Sequence, residues 1–155
     1  MSNQEKTILV TGATGTVGSE VVKQLAAISS SSGHKIRAAV HSKNKSDQLR
    51  QFDSKRVEIV NLDYTKPETV AYALNSVDKI FLQTLPIPNV TDISSNFVNE
   101  AKKNGVKYIV KLSAMGAGSE SESTILQLHK EEEKIIEDSG IPYTFLRPPT
   151  LCKIL

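Results

Sequence analysis

Three glycines at equal spacing, Gly12, Gly15 and Gly18, are the residues of this 155-residue chain whose pattern points most directly to chemistry. They lie in Thr11-Gly12-Ala13-Thr14-Gly15-Thr16-Val17-Gly18, a G-x-x-G-x-x-G run that follows the strand-like Thr7-Ile8-Leu9-Val10 and precedes an amphipathic stretch. Glycine permits a tight turn and lets a pyrophosphate approach the backbone closely. The N–H groups at the start of the following helix then face that anion with the favourable end of the helix dipole. A glycine triplet alone also fits a bare structural turn. The strand before it and the helix after it favour a nucleotide loop, in which Thr11 to Gly18 line the phosphates and Gly18 lets helix and sheet pack closely.

Such a loop needs a parallel sheet to hold it. Short β-branched runs recur with amphipathic stretches between them, which predicts βαβ units. Strands are expected at Thr7–Val10, Lys35–Val40, Val57–Val60, Lys79–Leu82, Tyr108–Lys111 and Tyr143–Leu146, each nearly continuously apolar, as when helices cover both faces. Helices are expected at Thr16–Ile28, Lys45–Phe52, Pro67–Asn75, Asp92–Lys103 and Ser123–Asp138. In the first, Val17, Val21, Val22, Leu25 and Ile28 share one face. Thr65 is the expected cap before Pro67, and Asn104-Gly105 and Ser139-Gly140 suit helix stops. The serine run 29–32 before Gly33 reads as a surface loop. The simplest assembly is α/β: a doubly wound parallel sheet of the Rossmann type, strand order 3-2-1-4-5-6, in a single domain over residues 1–155.

In that fold the end of the second strand selects the cofactor, through a carboxylate for a ribose hydroxyl or cations for a 2′-phosphate. The segment Val40-His41-Ser42-Lys43-Asn44-Lys45 has no carboxylate before Asp47. NADP is therefore expected over NAD, with His41, Lys43 and Lys45 as candidate phosphate contacts. Each of these lysines also reads as ordinary solvated loop charge. His129 and Glu133, four apart on one predicted helix, could begin a metal site, but His34 and His41 are predicted far away, so no metal is expected.

The glycine run, together with Val110-Lys111-Leu112-Ser113-Ala114, Leu128-His129-Lys130-Glu131-Glu132-Glu133 and Ser139-Gly140-Ile141-Pro142-Tyr143-Thr144-Phe145-Leu146-Arg147-Pro148, resembles the NmrA-like family of atypical short-chain dehydrogenases. That family holds NAD(P)H:quinone oxidoreductase-like and isoflavone-reductase-like enzymes as well as redox-sensing regulators. The resemblance implies that Asp63 and Tyr64 contact the adenine and that Gln83, Thr84 and Leu85 line the nicotinamide side. Asp63 equally suits a helix cap or an Asx-turn. Ordinary short-chain dehydrogenases pair a tyrosine with a lysine four residues later, and here Leu126 stands four before Lys130, so the phenolic acid is missing. The resemblance carries over Lys130, as a ligand to the nicotinamide ribose or a proton donor, with an exposed lysine paired to Glu133 or Glu137 as the alternative. Ser113 matches the family's serine after the fifth strand, or is a turn-capping hydroxyl. In place of the arginine usual in the family, this chain has His41.

Composition narrows the remainder. Lys and Arg number 19 against 17 Asp and Glu, a net +2, with basic and acidic residues interleaved as in Lys130-Glu131-Glu132-Glu133-Lys134. This balance points to neither nucleic acid nor a membrane surface. The single cysteine, Cys152, forms no intramolecular disulfide, and without a signal-like or spanning apolar run a cytoplasmic protein is expected. The family continues past the Leu-Arg-Pro segment into a part that closes the substrate pocket. This chain is accordingly expected to lack most of that lobe, with Leu151, Ile154 and Leu155 either at an interface or folded back on the sheet. The expected activity is hydride transfer from NADP(H) to a small carbonyl or quinone. The rival readings are a non-catalytic NADP-binding redox sensor with a protein partner and an inactive shortened family copy.

Overall fold

The computed structural model describes residues 5–42, 46–52, 55–85, 87–120 and 122–149. Lys43, Lys45, Leu151, Cys152, Ile154 and Leu155 lie outside the described residues. Six strands, β1 (Lys6–Val10), β2 (His34–Val40), β3 (Val57–Asn61), β4 (Lys79–Leu82), β5 (Tyr108–Leu112) and β6 (Tyr143–Leu146), form one sheet in the order β3-β2-β1-β4-β5-β6. Every described pairing is parallel. The doubly wound order expected from the sequence is thus the observed one, and the strand order reverses between β1 and β4, just where β1 gives way to the glycine run.

Helices α1 (Thr16–Ser32), α2 (Pro67–Leu74), α3 (Val90–Lys103) and α4 (Thr124–Ser139) divide unequally between the two faces. One face buries Val10, Val22, Ile36, Ala38, Val40 and Leu49 under α1. The other buries Leu9, Val70, Leu74, Ile80, Phe97, Ile109 and Ile136 under α2, α3 and α4. Beyond β4 the first face carries no helix among the described residues. β6 is accordingly exposed at Tyr143, Thr144 and Leu146, contrary to an apolar strand covered on both sides.

Several local expectations are corrected by the chain's own hydrogen bonds. Residues 29–32 are helix, not loop. Ser29 Oγ donates to Ala26 O (2.8 Å) and Ser31 Oγ to Ile28 O (2.9 Å), so these hydroxyls bond back along the helix instead of breaking it. The stop comes at Gly33, in the left-handed conformation with φ 68°, whose N–H reaches Ser29 O. Ile28, expected on the buried face of α1, is 56% exposed. The expected helix at 45–52 is only a 3-10 turn at Asp47–Leu49, anchored by the buried Leu49. The residue flanking α2 is Lys66, without a side-chain cap, because Thr65 is engaged by Asp63. Asn104 and Gly140 end α3 and α4 as expected. Among the described residues no helix is long and apolar enough to cross a membrane.

Candidate functional site

The glycine turn is fixed chiefly by backbone, with Gln48 Nε2 donating to Thr14 O (2.9 Å) as a side-chain addition. Thr11 N–H donates to Phe81 O (3.0 Å), Ala13 N–H to Ala39 O (3.1 Å) and Gly15 N–H to Gly12 O (3.0 Å), which suspends the loop between β2 and β4. Gly12 has φ 61°, a conformation L side chains rarely adopt. Gly18 is required for a different reason: a Cβ there would stand 2.0 Å from Gly12 O and 2.7 Å from Gly12 C. The first turn of α1 therefore packs directly on the backbone of the turn. Its N-cap, Gly15, offers no side-chain hydrogen bond, and the first turn carries no acidic residue. The N–H groups at this helix end are left to an anion from outside.

A cavity of about 390 Å³ opens beside the turn. Gly12, Thr14 and Gly15 line its middle, His41, Asp63 and Tyr64 one end, and Gln83, Thr84 and Leu85 the other. The structure thus brings together at one cavity three predicted groups that are far apart in sequence. Thr11 and Ala13, fully buried, and Gly18 support its floor from behind, while Thr16 and Val17 begin α1 next to it.

The β2–β3 end is apolar with polar edges. With its nitrogen turned toward β2, the Asn61 carboxamide donates to His41 O at 2.8 Å. His41 itself is exposed at the cavity mouth. Asp63 Oδ1 accepts from Thr65 N (3.0 Å) and Thr65 Oγ1 (2.6 Å), an Asx-turn, and these two bonds hold its carboxyl below the usual range. This carboxylate is spent within its own turn. Tyr64 packs edge-on against Phe97 at 5.5 Å, and burial pushes its phenol up to about 12.

At the β4 end, Thr11 Oγ1 donates to Gln83 O (3.0 Å) and accepts from Gln83 N–H (2.8 Å), which locks the wall to the glycine turn. The Gln83 carboxamide lies over the turn, its Oε1 3.3 Å from where a Gly12 Cβ would be. That oxygen is buried and accepts no hydrogen bond from the described residues. A buried orphan acceptor over an open helix N-terminus beside an apolar slot fits a dinucleotide: its phosphates would meet the N–H groups and its nicotinamide end would meet the amide.

Behind Thr84 sits a cluster that sequence reading missed. Lys111, in the middle of β5, is fully buried and pairs with the equally buried Glu132 of α4 at 3.1 Å. Its Nζ also donates to Leu112 O (2.8 Å) and Thr84 Oγ1 (3.3 Å) and lies 3.4 Å from His129 Nδ1. Ser94 Oγ of α3 donates to the other Glu132 oxygen at 2.6 Å. Burial pushes the Lys111 ammonium below the usual lysine range, an effect the Glu132 charge partly offsets. Burial, and then the Lys111 charge, likewise lowers His129.

Ser113 is 1% exposed and donates to Glu133 Oε1 at 2.6 Å, while Arg147 holds both Glu133 oxygens. Burial opposes the Glu133 charge, yet the Arg147 and Ser113 hydrogen bonds outweigh it and its pKa lies below the ordinary value. Glu132 and Glu133 therefore are not the interleaved surface charge that their neighbours suggest. The signal was present in spacing: Glu132 stands four residues before Ile136, on its buried face. Lys130 is exposed and outside the cavity lining. By helical spacing it lies on the side of α4 that also carries Leu126, which packs by Gly116, and Glu133. Glu133 is taken by Ser113 and Arg147 and does not pair with it.

A protein-family model described as NAD(P)H-binding matches residues 12–153. The NAD(P)H azoreductase of Xenophilus azovorans is 32% identical over 141 residues, covering 91% of this chain and 47% of that protein. The Citrobacter sp. triphenylmethane reductase complexed with NADP(H) superposes with a TM-score of 0.76 at 31% identity, over 90% of this chain and 48% of that one. The NADPH-dependent quinone oxidoreductase of Escherichia coli complexed with NADPH gives 0.77 at 32% identity, again over 90% and 48%. This chain spans about half the length of the relatives it matches.

Proposed function

The chain belongs to the NAD(P)H-binding family and is NmrA-like in kind, and from that premise we propose that it binds NADP(H) in the 390 Å³ cavity and passes hydride to a small carbonyl or quinone. The observation that carries the reading is the contact of Gly18 with the Gly12 backbone, which sets an uncapped helix N-terminus against a cavity with an orphan amide oxygen. When bound, the nicotinamide supplies the hydride. The protein's part is to orient it: Thr14 to Val17 take the phosphates, Leu62, Tyr64 and Val90 offer an apolar adenine slot, and Gln83, Thr84 and Leu85 form the nicotinamide wall.

NADP is favoured over NAD because Asp63, the one carboxylate that lines the cavity among the described residues, is already bonded to Thr65, while His41 stands open at the mouth. Lys43 and Lys45 follow in sequence and supply further positive charge to a 2′-phosphate. Lys130, exposed on α4, is the residue proposed for the nicotinamide ribose or for proton donation. Ser113, already donating to Glu133, positions that turn rather than reacting.

A second reading, a redox sensor that reports the bound nucleotide to a protein partner, draws support from exposed apolar side chains: Leu85 at the cavity is 72% exposed, and Met115 and Leu146 after β5 and in β6 are 58% and 45% exposed. Titration of the chain with NADPH and NADH, followed in the same sample by a quinone panel, tests both. Tighter binding of NADPH with quinone-dependent oxidation supports the enzyme, and binding without oxidation supports the sensor. A folded chain that binds neither nucleotide excludes both.

A further inference from the structure

The network behind the cavity runs from donors on α3 and β5 to the Glu132 carboxylate and to Thr84. Ser94 Oγ donates to Glu132 Oε1, and Lys111 Nζ donates to Glu132 Oε2 and to Leu112 O, with its third hydrogen shared between Thr84 Oγ1 at 3.3 Å and His129 Nδ1 at 3.4 Å. An ammonium has three donors and no acceptor, and the partner carboxylate, with both oxygens occupied, keeps that nitrogen charged. Thr84 Oγ1 is therefore always the acceptor in its bond with Lys111. Its own hydrogen is left without a partner among the described residues, at a residue that lines the cavity.

Resting on the nucleotide reading above, we propose that the buried Lys111–Glu132 pair makes Thr84 an obligate hydrogen-bond donor at the nicotinamide end, aimed at a carbonyl oxygen. Lys111 and Glu132 are positioning residues here, acting through Thr84. A cation bonded to the oxygen side of a hydroxyl also sharpens its donor character, because successive bonds in such a chain polarise one another. The carbonyl belongs either to the carboxamide of the nicotinamide or to the hydride acceptor. The chemistry is the same for both, and a titration separates them.

The experiment compares wild type with Thr84→Val, Thr84→Ser and the double variant Lys111→Met/Glu132→Leu, reading dissociation constants for NADPH and for adenosine 2′,5′-bisphosphate, which lacks the nicotinamide end. If the carboxamide is the acceptor, Thr84→Val weakens NADPH about tenfold, the value of one hydrogen bond, and leaves the bisphosphate unchanged. If the hydride acceptor is the partner, both affinities hold and kcat/KM for a quinone falls about tenfold. In either case Thr84→Ser stays near wild type and the double variant, which keeps the hydroxyl but loses its direction, follows Thr84→Val.

Should the apolar double variant not unfold cooperatively, Lys111→Gln/Glu132→Gln keeps nearly the same volume and is expected to lose about threefold in the same readout. Equal loss of both nucleotides in Thr84→Val, no loss in either readout, or a wild-type-like response of the folded Lys111 variant overturns the inference. A wild-type chain that binds NADPH without oxidising it closes the quinone arm, and flat NADPH affinity then overturns it as well. Failure of the wild-type chain to bind either ligand removes the underlying nucleotide reading and the inference with it, an outcome distinct from a bound wild type whose variants do not differ.

Discussion

The two ends of the cavity floor are held by different physics. Around the glycine turn the fixing contacts are backbone to backbone, from Ala13 N–H to Ala39 O and from Gly15 N–H to Gly12 O, and helix α1 sits against a peptide group with no room for a Cβ. Around β4 and β5 they run through buried side chains, with Lys111 and Glu132 charged and opposed, Ser94 behind them and Thr84 in front. A backbone-built site tolerates no added atom but is indifferent to most side chains. A charge-built one fails when either partner is removed alone and tolerates removal of both.

The largest expected effect tests that asymmetry. Glu132→Leu leaves the fully buried Lys111 ammonium without its carboxylate and should cost about 3–5 kcal/mol, read as a fall in the urea midpoint. Adding Lys111→Met should recover most of it, since an apolar pair of similar volume replaces the ionic one. A double variant as unstable as the single would mean that the β5 end depends on the charges themselves.

Next is Gly18→Ala at the backbone end, expected to cost about 2–3 kcal/mol as overpacking, because the 2.0 Å approach to Gly12 O can be relieved only by moving the helix or the turn. NADPH binding should fall beyond measurement while the far-UV spectrum persists. Retained affinity in the alanine variant would show that α1 can shift without disturbing the phosphate cradle, and the contrast between the two ends would then weaken. Thr11→Val joins the ends. It removes the hydroxyl that both donates to Gln83 O and accepts from Gln83 N–H, and a loss of about 1–2 kcal/mol is expected, together with weaker NADPH binding. A variant with unchanged affinity would mean that the two ends are positioned independently.

The same contrast explains what could be read from the sequence. The sheet order, the glycine turn and the place of His41 follow from local signals and fold rules, apolar runs, glycine spacing and the cofactor-selecting end of the second strand, whereas Asp63, Tyr64, Gln83 and Thr84 come from the family resemblance and from no pattern of their own. Lys111 and the Glu132–Glu133 pair were not legible in that way, because their partners come from strands and helices whose register only the fold supplies. Lys130-Glu131-Glu132-Glu133-Lys134 looks like solvated charge until α4 is turned so that Ile136 faces β5, which carries Glu132 inward with it. The serine run 29–32 misled in the opposite sense, since its composition suits a loop while the Ser29 and Ser31 hydroxyls bond back into the helix.

The smallest expected effect is a pH dependence at the charge-built end. Burial and Lys111 lower the His129 pKa in the folded chain, so above the ordinary histidine value of about 6.5 the ring is neutral in both states and the full stability is present. As pH falls through about 6.5 the unfolded chain takes up the proton first, and stability is lost until the folded ring also titrates. Glu133, lowered by Arg147 and Ser113, acts in a separate window: its contribution is present above the ordinary carboxylate value of about 4.3 and is lost as pH falls below it. His129→Gln should therefore flatten the upper part of a stability curve recorded between about pH 8 and pH 3, across both windows, and leave the Glu133 loss below it in place. If the upper slope survived the substitution, the proton taken up there would have to bind elsewhere than beside Lys111, and the glycine-turn end, whose fixing bonds are between uncharged peptide groups, would be a poor place to look for it.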